Sequence, residues 1–162
     1  MNRNYSDCSK IRQFSIDNKD EFIVKGITIH NTNNELSAKD LYNRLVNSRT
    51  NASCHFLVDE KEVIELVPLT MPAMHTGKGY DFGNMNTIAI EICRSQYSKS
   101  VYLKAQERAC KLIAFLMNEF KLTEKDIYYH SDFNNRVNCP HKIRELYSSK
   151  DEFIRKEIEP WL

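Results

Sequence analysis

The sequence predicts an α/β fold, in which a single domain has a central mixed β-sheet flanked by α-helices. Short apolar runs rich in β-branched residues alternate with segments of helical period, which is the pattern of a sheet covered by helices. The 162 residues suffice for one core without disulfide bonds. No repeat, low-complexity tract or linker divides the chain, so we expect one domain over residues 1–162 with about five or six strands.

The net charge and the distribution of apolar residues exclude some classes of binding partner. A formal net charge of +1 offers no electrostatic attraction for nucleic acid, and no run approaches the ~20 apolar residues of a membrane span. Five scattered cysteines are a poor disulfide framework and indicate a reducing cytosol. The polar N-terminus lacks the apolar core of a signal peptide. We therefore expect a protein made in the cytoplasm without membrane insertion. The sequence does not specify the oligomeric state, for which a monomer is the default expectation.

The first third of the chain predicts an arm, a strand and a helix. Residues 1–20 are polar and are predicted to be an N-terminal arm that packs over the domain. Phe22–His30 is nearly continuously apolar and β-branched, as in a strand covered on both faces. Ser37 is a good N-cap for a helix that reaches about Ser48 with an apolar face. His30 therefore ends a rigid strand beside a polar loop, where α/β folds place their chemistry.

The middle of the chain predicts three more strands. Ser53–Asp59 and Val63–Val67 are expected to pair as a hairpin, and Pro68 ends the second run. Met71–Gly79 is a loop with two glycines and a histidine. Thr87–Ile92 is an apolar strand that contains one glutamate.

The last third is predicted to be mainly helical. Apolar residues follow a helical period from Lys99 to Phe120, which makes this segment the longest helix and a cover for the sheet. Ile127–His130 is a short strand. His141–Tyr147 is predicted to be a short helix, and Lys150–Ile158 another within a C-terminal segment that spans 150–162.

Two histidines, a cysteine and a glutamate form a candidate metal site. His130 and Cys139 lie nine residues apart across a polar loop, and imidazole with thiolate is a ligand pair that zinc prefers. His30 would complete three protein ligands if the strands that end at His30 and His130 are neighbours. Glu91 has apolar strand neighbours. Burying a carboxylate there costs free energy unless the group has a catalytic function or a partner that pairs with its charge. Glu91 is thus the candidate proton shuttle.

Each of these residues also has a plain structural interpretation. A single histidine at a strand end is usually hydrogen-bonded or exposed, and a single cysteine is usually a small buried hydrophobe. The glutamate would then pair with an arginine or lysine. A third possibility is a cysteine hydrolase in which Cys54 or Cys139 is activated by a histidine base.

Six blocks of sequence between about Phe22 and Tyr147 carry a resemblance to a known family. They are Gly26–Thr32, Ala52–Asp59, Ile64–Pro68, Ala73–Gly77, Asn86–Cys93, and His130 with Cys139–His141. In content and in order, these blocks resemble the zinc-dependent N-acetylmuramoyl-L-alanine amidases of the type 2 (phage-lysozyme-like) family, which also includes the peptidoglycan recognition proteins. Six blocks in order are far more specific than any single one.

The resemblance implies a metallohydrolase that acts on bacterial peptidoglycan. It assigns His30, His130 and Cys139 as Zn²⁺ ligands and Glu91 as the catalytic acid/base. The bond it implies is the amide between N-acetylmuramic acid and the first L-alanine of the stem peptide. Relatives act on the cell wall, and an enzyme without a signal peptide would reach the wall through lysis or another non-classical route.

Further residues receive roles by the same resemblance. His75 and His55 are expected on the substrate side, against the alternatives of an exposed loop and of a histidine bonded to backbone. Asn31 follows a ligand and is expected either to contact substrate or to support the ligand through a hydrogen bond. Many relatives carry a lysine where this chain has Val137. Either the adjacent Arg136 takes that electrostatic role, or zinc and another donor supply all of it.

A binding-only peptidoglycan recognition domain on the same fold is the competing hypothesis. Such relatives typically lose the cysteine ligand, whereas this chain retains Cys139 together with both histidines and Glu91. The retained set favours catalysis.

Overall fold

A computed structural model describes residues 22–162, which form a single domain around one mixed β-sheet. The five strands are β1 (Gly26–Asn31), β2 (Phe56–Val58), β3 (Val63–Glu65), β4 (Thr87–Ile92) and β5 (Ile127–Tyr129). Their order across the sheet is β3-β2-β4-β1-β5. Among residues 22–162, strand β1 is parallel to both β4 and β5, β2 is parallel to β4, and the β2–β3 hairpin is antiparallel.

Six α-helices connect and cover these strands in the described part of the chain. They are α1 (Ala38–Val46), α2 (Phe82–Asn86), α3 (Lys99–Phe120), α4 (His130–Phe133), α5 (His141–Leu146) and α6 (Lys150–Phe153). A π-helical turn over Ile154–Ile158 follows α6 directly. No helix among residues 22–162 combines the length and the apolar character needed to cross a membrane.

The sheet is covered differently on its two faces. On one face, isoleucines of β1 and β4 pack against the buried side of α3 in the main core. On the other face, Leu57 of β2 and Ala89 of β4 pack with Leu41 of α1 in a smaller cluster. Because side chains alternate along a strand, the residues of β1 and β4 that alternate with these isoleucines lie on the α1 face. His30 and Glu91 are among them.

Most predicted elements are confirmed, with differences at their ends. Strand β4 and helix α3 have the predicted bounds. Strand β1 begins four residues later than predicted, because its partner β4 begins at Thr87, opposite Gly26. The predicted final helix divides into α6 and the π-helical turn. The predicted N-terminal arm, residues 1–20, lies outside the described residues.

Two short helices were not predicted. Helix α2 begins after Asp81, whose side chain accepts the backbone N–H of Asn84, an N-cap signal that the sequence carried. Helix α4 starts at His130, which the sequence predicted to be the last residue of a strand. The strand ends at Tyr129 because the Asp132 carboxylate accepts the Tyr129 N–H and turns the chain.

Candidate metal centre and groove

The parallel pairing of β1 and β4 places the first ligand beside the candidate proton shuttle. His30 and Glu91 are register partners on neighbouring strands, and both lie near the carboxyl ends of those strands. The alternation of side chains directs both to the α1 face of the sheet. The site therefore sits at the edge where parallel strands end, as in other open α/β sheets.

The structure brings the three predicted ligands together. His130 begins α4 directly after β5, the other neighbour of β1, and Cys139 returns to the same place after the intervening loop. One ligand atom from each of His30, His130 and Cys139 lies within 4.8 Å of the others. The Cys139 Sγ is 3.8 Å from His30 Nδ1, and the two imidazole ring centres are 4.7 Å apart.

The protonation states and the types of ligand atom in this cluster suit a zinc ion. Burial, and then the proximity of His75 and His130, lowers the pKa of His30 well below its ordinary value, so the ring is neutral and its lone pair is available. Burial, and then Glu91, raises the pKa of Cys139 to about 12. A nearby dication would be needed to hold the cysteine as a thiolate. Two nitrogens and one sulfur leave a fourth position open, which is the ligand pattern of catalytic zinc.

Glu91 is a half-buried carboxyl in the same groove. Burial raises its pKa to about 8, because the charged form loses hydration there. A group that titrates near neutrality can accept a proton and later return it. The arrangement can therefore support proton transfer beside a metal.

A groove of about 1510 Å³ contains all four groups. Its volume exceeds that of most drug-sized ligand sites, so it can hold an extended substrate. Leu41, Leu45 and Leu57 form an apolar part of the wall. Asn33, Asn34, Asn51 and Asn138 supply amide groups elsewhere along it. The wall thus offers both apolar contact and hydrogen bonds.

The role predicted for His55 is wrong. Its side chain is fully buried, and both ring nitrogens bind the backbone of the protein. The Nδ1 atom accepts the N–H of Ala89 at 2.9 Å, and Nε2 lies 3.0 Å from the carbonyl of Met71, to which it donates. Phe22 stacks on the ring at a centre distance of 5.1 Å. His55 precedes β2 directly and links it to β4 and to the loop that follows β3. A histidine bonded to backbone is the alternative that the sequence had left open.

Asn31 lines the groove, and its side-chain amide is engaged with the protein, which agrees with the predicted supporting role. The predicted substrate contact stays a prediction. Its Oδ1 accepts the N–H groups of Lys142 and Ile143, at 3.0 and 3.2 Å. Its Nδ2 donates to the Tyr102 hydroxyl at 2.9 Å and to the His30 carbonyl at 3.3 Å. Two accepted and two donated hydrogen bonds use the full capacity of the amide.

His75 lines the groove, but its ring is engaged with the protein. Its Nδ1 lies 3.0 Å from His30 Nε2, and its Nε2 lies 3.1 Å from the carbonyl of Gly83. Burial is the main cause that lowers its pKa to about 3. The ring therefore touches a ligand directly, which the sequence had not predicted.

Arg136 is not brought into the groove. It is exposed, and its backbone N–H donates to Asn134 Oδ1 at 3.2 Å in a turn before the cysteine. That turn places Val137 and Asn138 on the groove wall instead. The electrostatic role predicted for Arg136 stays a prediction, which the described groove lining does not support. Sequence reasoning also missed Asn84, whose buried amide within the α2 segment organises the loop that carries His75.

Comparison with known proteins agrees with this geometry. The family model described as N-acetylmuramoyl-L-alanine amidase matches residues 19–142. The chain belongs to this family. Among individual amidases, CwlA of Bacillus subtilis (strain 168) is 38% identical over 118 residues, which are 72% of this chain and 43% of CwlA. XlyB of the same strain is 36% identical over 134 residues, or 82% of this chain and 41% of XlyB.

Solved structures of similar proteins share the fold. The structure of PlyL matches with a TM-score of 0.78 and 29% identity over 84% of each chain. The catalytic domain of XlyA matches with a TM-score of 0.73 and 31% identity, covering 80% of this chain and 85% of that domain. The chain spans less than half the length of CwlA and XlyB.

Proposed function

We propose that this member of the amidase family hydrolyses the amide bond between N-acetylmuramic acid and L-alanine in bacterial peptidoglycan, and so acts on the cell wall. The observation that carries the proposal is the register of β1 and β4, which sets the Glu91 carboxyl beside His30 of the ligand cluster. The names of the relatives support the choice of substrate bond.

Zn²⁺ is the proposed cofactor, held by His30, His130 and Cys139. When bound, it would polarise the scissile carbonyl and favour ionisation of the attacking water. Glu91 takes one proton from that water as oxygen attacks the carbonyl carbon. The carboxyl then returns this proton to the amide nitrogen as the carbon–nitrogen bond breaks. The second proton of the water also passes to this nitrogen, so the products are a lactyl carboxylate on the sugar and the ammonium group of L-alanine on the peptide.

The groove also supports a substrate that is part sugar and part peptide. Its leucine wall can pack against methyl groups of a lactyl or alanyl unit, because such contacts remove apolar surface from water. Its asparagine side chains can donate hydrogen bonds to acetamido and peptide groups and accept hydrogen bonds from them.

The experiment combines zinc content with the release of new amino groups from purified peptidoglycan. We expect one zinc per chain in wild type, in Glu91→Ala and in Glu91→Gln, since Glu91 is not a ligand. Amino-group release should fall by roughly 100-fold or more in both variants, which is the typical effect of a general acid/base. Glu91→Gln is the matched control for side-chain volume. A chelator should abolish the wild-type activity.

Three outcomes would contradict the proposal. Zinc binding by wild type without amino-group release would make the domain a peptidoglycan-binding module. Activity that resists chelators but is lost on thiol alkylation would indicate a cysteine nucleophile. Unchanged activity in both Glu91 variants would remove Glu91 from the mechanism.

A further inference from the structure

We propose that one loop, residues 75–79, sets the ring tautomers of both histidine ligands, so that each presents an unprotonated Nδ1 to the metal. His75 and Thr76 are the residues of this loop that contact the ligands, and Asn84 holds the loop in place. This inference rests on the metal site of the proposed function, but not on the proposed hydrolysis. It makes His75 and Asn84 positioning residues.

A chain of hydrogen bonds determines the tautomer of His30. The carbonyl of Gly83 can only accept, so the His75 Nε2 that lies 3.1 Å away must carry a proton. A neutral His75 then has a lone pair on Nδ1, which lies 3.0 Å from His30 Nε2. His30 Nε2 must therefore donate, and the lone pair of a neutral His30 is on Nδ1. That Nδ1 is the atom 3.8 Å from Cys139 Sγ.

The next residue of the loop acts in the same way on His130. The Thr76 carbonyl lies 3.1 Å from His130 Nε2, and because a carbonyl only accepts, this nitrogen must carry a proton. The same carbonyl accepts the side-chain amide of Asn134 at 3.2 Å, which holds it from a second direction. His130 therefore also keeps its lone pair on Nδ1.

Asn84 holds the loop through the backbone of both residues. Its Oδ1 accepts the N–H groups of His75 at 2.7 Å and of Thr76 at 2.9 Å, and its Nδ2 donates to the carbonyl of Gly79. Asn84 is 1% exposed, so these hydrogen bonds are shielded from water. A single buried amide thereby positions the acceptors of both ligand rings.

The packing of α2 leaves the loop little freedom to move. A Cβ built at Gly83 would lie 2.5 Å from Thr76 Cγ2 and 3.0 Å from Phe133 Cδ2, so the helix backbone lies directly against the loop. Rigid acceptors for the two ligand rings make metal binding more favourable, because neither ring has to change its tautomer when the ion binds.

Zinc affinity, measured by competition with a chromophoric chelator in reduced protein, tests the proposal. We expect His75→Ala to bind zinc about 10–100-fold more weakly than wild type, which is the usual effect of removing such a partner. His75→Asn should recover part of the loss, since its Oδ1 can accept near the position of Nδ1. Asn84→Ala should weaken binding as well. Lys78→Ala, an exposed residue of the same loop, is the matched control and should stay within about twofold of wild type.

Long-range ¹H–¹⁵N correlation spectra of the metal-free protein report the ring tautomers directly and need no variant. We expect wild-type His30 and His130 to carry their proton on Nε2. In His75→Ala, His30 alone should lose this preference, whereas His130 should keep it through Thr76.

Either of two results would overturn the proposal. One is wild-type protein in which His30 or His130 carries its proton on Nδ1, a result that does not depend on whether any variant folds. The other is a folded His75→Ala with wild-type zinc affinity and ring tautomers. If wild type binds zinc but releases no amino groups, the hydrolysis fails while the affinity differences among the variants remain. The two failures are thus distinguishable.

Discussion

At the residue scale, Asn31 shows how one buried amide joins three elements around the proposed metal centre. It ends β1, one residue after the ligand His30, and its Oδ1 accepts two N–H groups in the first turn of α5. Its Nδ2 reaches the hydroxyl of Tyr102 on α3. Because α5 begins two residues after Cys139, Asn31 also fixes where the cysteine ligand lies relative to His30.

We predict that Asn31→Ala lowers the free energy of unfolding by about 2–3 kcal/mol, because buried donors at the start of α5 and the Tyr102 hydroxyl lose their partner. Zinc binding should weaken too, since Cys139 is no longer held relative to β1. Denaturant unfolding and chelator competition measure the two effects. Asn33→Ala, at an exposed asparagine two residues after Asn31, should change stability by about 0.5 kcal/mol or less. Equal effects of the two substitutions would refute the prediction.

At the element scale, the close approach of β1 to β5 requires a glycine. A Cβ at Gly26 would lie 2.6 Å from the carbonyl oxygen of Asp126 and 2.7 Å from Cε2 of Tyr128. The first of these atoms is backbone, directly before β5, so a side chain at position 26 requires the backbone of β1 or the start of β5 to shift. Strand β5 leads directly into His130, and a displacement there would reach the metal site.

We predict that Gly26→Ala lowers the free energy of unfolding by about 1–3 kcal/mol, the usual cost of overpacking, and also weakens zinc binding. The exposed neighbour Lys25 provides the control, and Lys25→Ala should leave both quantities nearly unchanged. The same two measurements apply. Wild-type stability and zinc affinity in Gly26→Ala would show that the sheet absorbs the methyl group without moving β5.

At the scale of the whole molecule, buried titratable groups give the metal-free protein opposing pH dependences. Burial is the main cause that lowers the pKa values of His30, His55 and His75, so below about pH 6.5 the unfolded chain binds more protons at these residues than the folded one. Their contribution to stability therefore falls on acidification. Glu91 acts in the other direction, because its pKa is raised to about 8 and the folded state keeps a proton that the unfolded chain loses above about pH 4.5.

We predict that the free energy of unfolding, measured with excess chelator, is greatest near pH 6–7. Below pH 6.5, the three histidines together change the free energy of unfolding with pH more than Glu91 does. From pH 6.5 to pH 8, Glu91 makes the largest contribution of these four groups. Glu91 alone can contribute a slope of at most about 1.4 kcal/mol per pH unit. Denaturant unfolding between pH 4 and pH 8 measures the curve. Glu91→Gln should reduce the fall above pH 6.5, and an unchanged fall would mean that another group causes it.

The sequence by itself determined the elements and the types of residue that form the site. The apolar periods of Thr87–Ile92 and Lys99–Phe120 give strand β4 and helix α3 with their observed bounds, because these patterns are local. The ordered motifs also identified His30, His130, Cys139 and Glu91 as one candidate site, which the structure brings together.

Only the tertiary structure decided what the remaining polar residues do. His55 is a buried structural histidine because its ring accepts an N–H from Ala89, 34 residues further along the chain. His75 touches a ligand because its loop packs against β1, 45 residues before it in the chain. A hydrogen bond between distant segments depends on the register of the sheet and the packing of loops, neither of which a local pattern specifies. The sequence therefore identified which types of residue form the site, whereas contacts between distant segments determined what each residue does there.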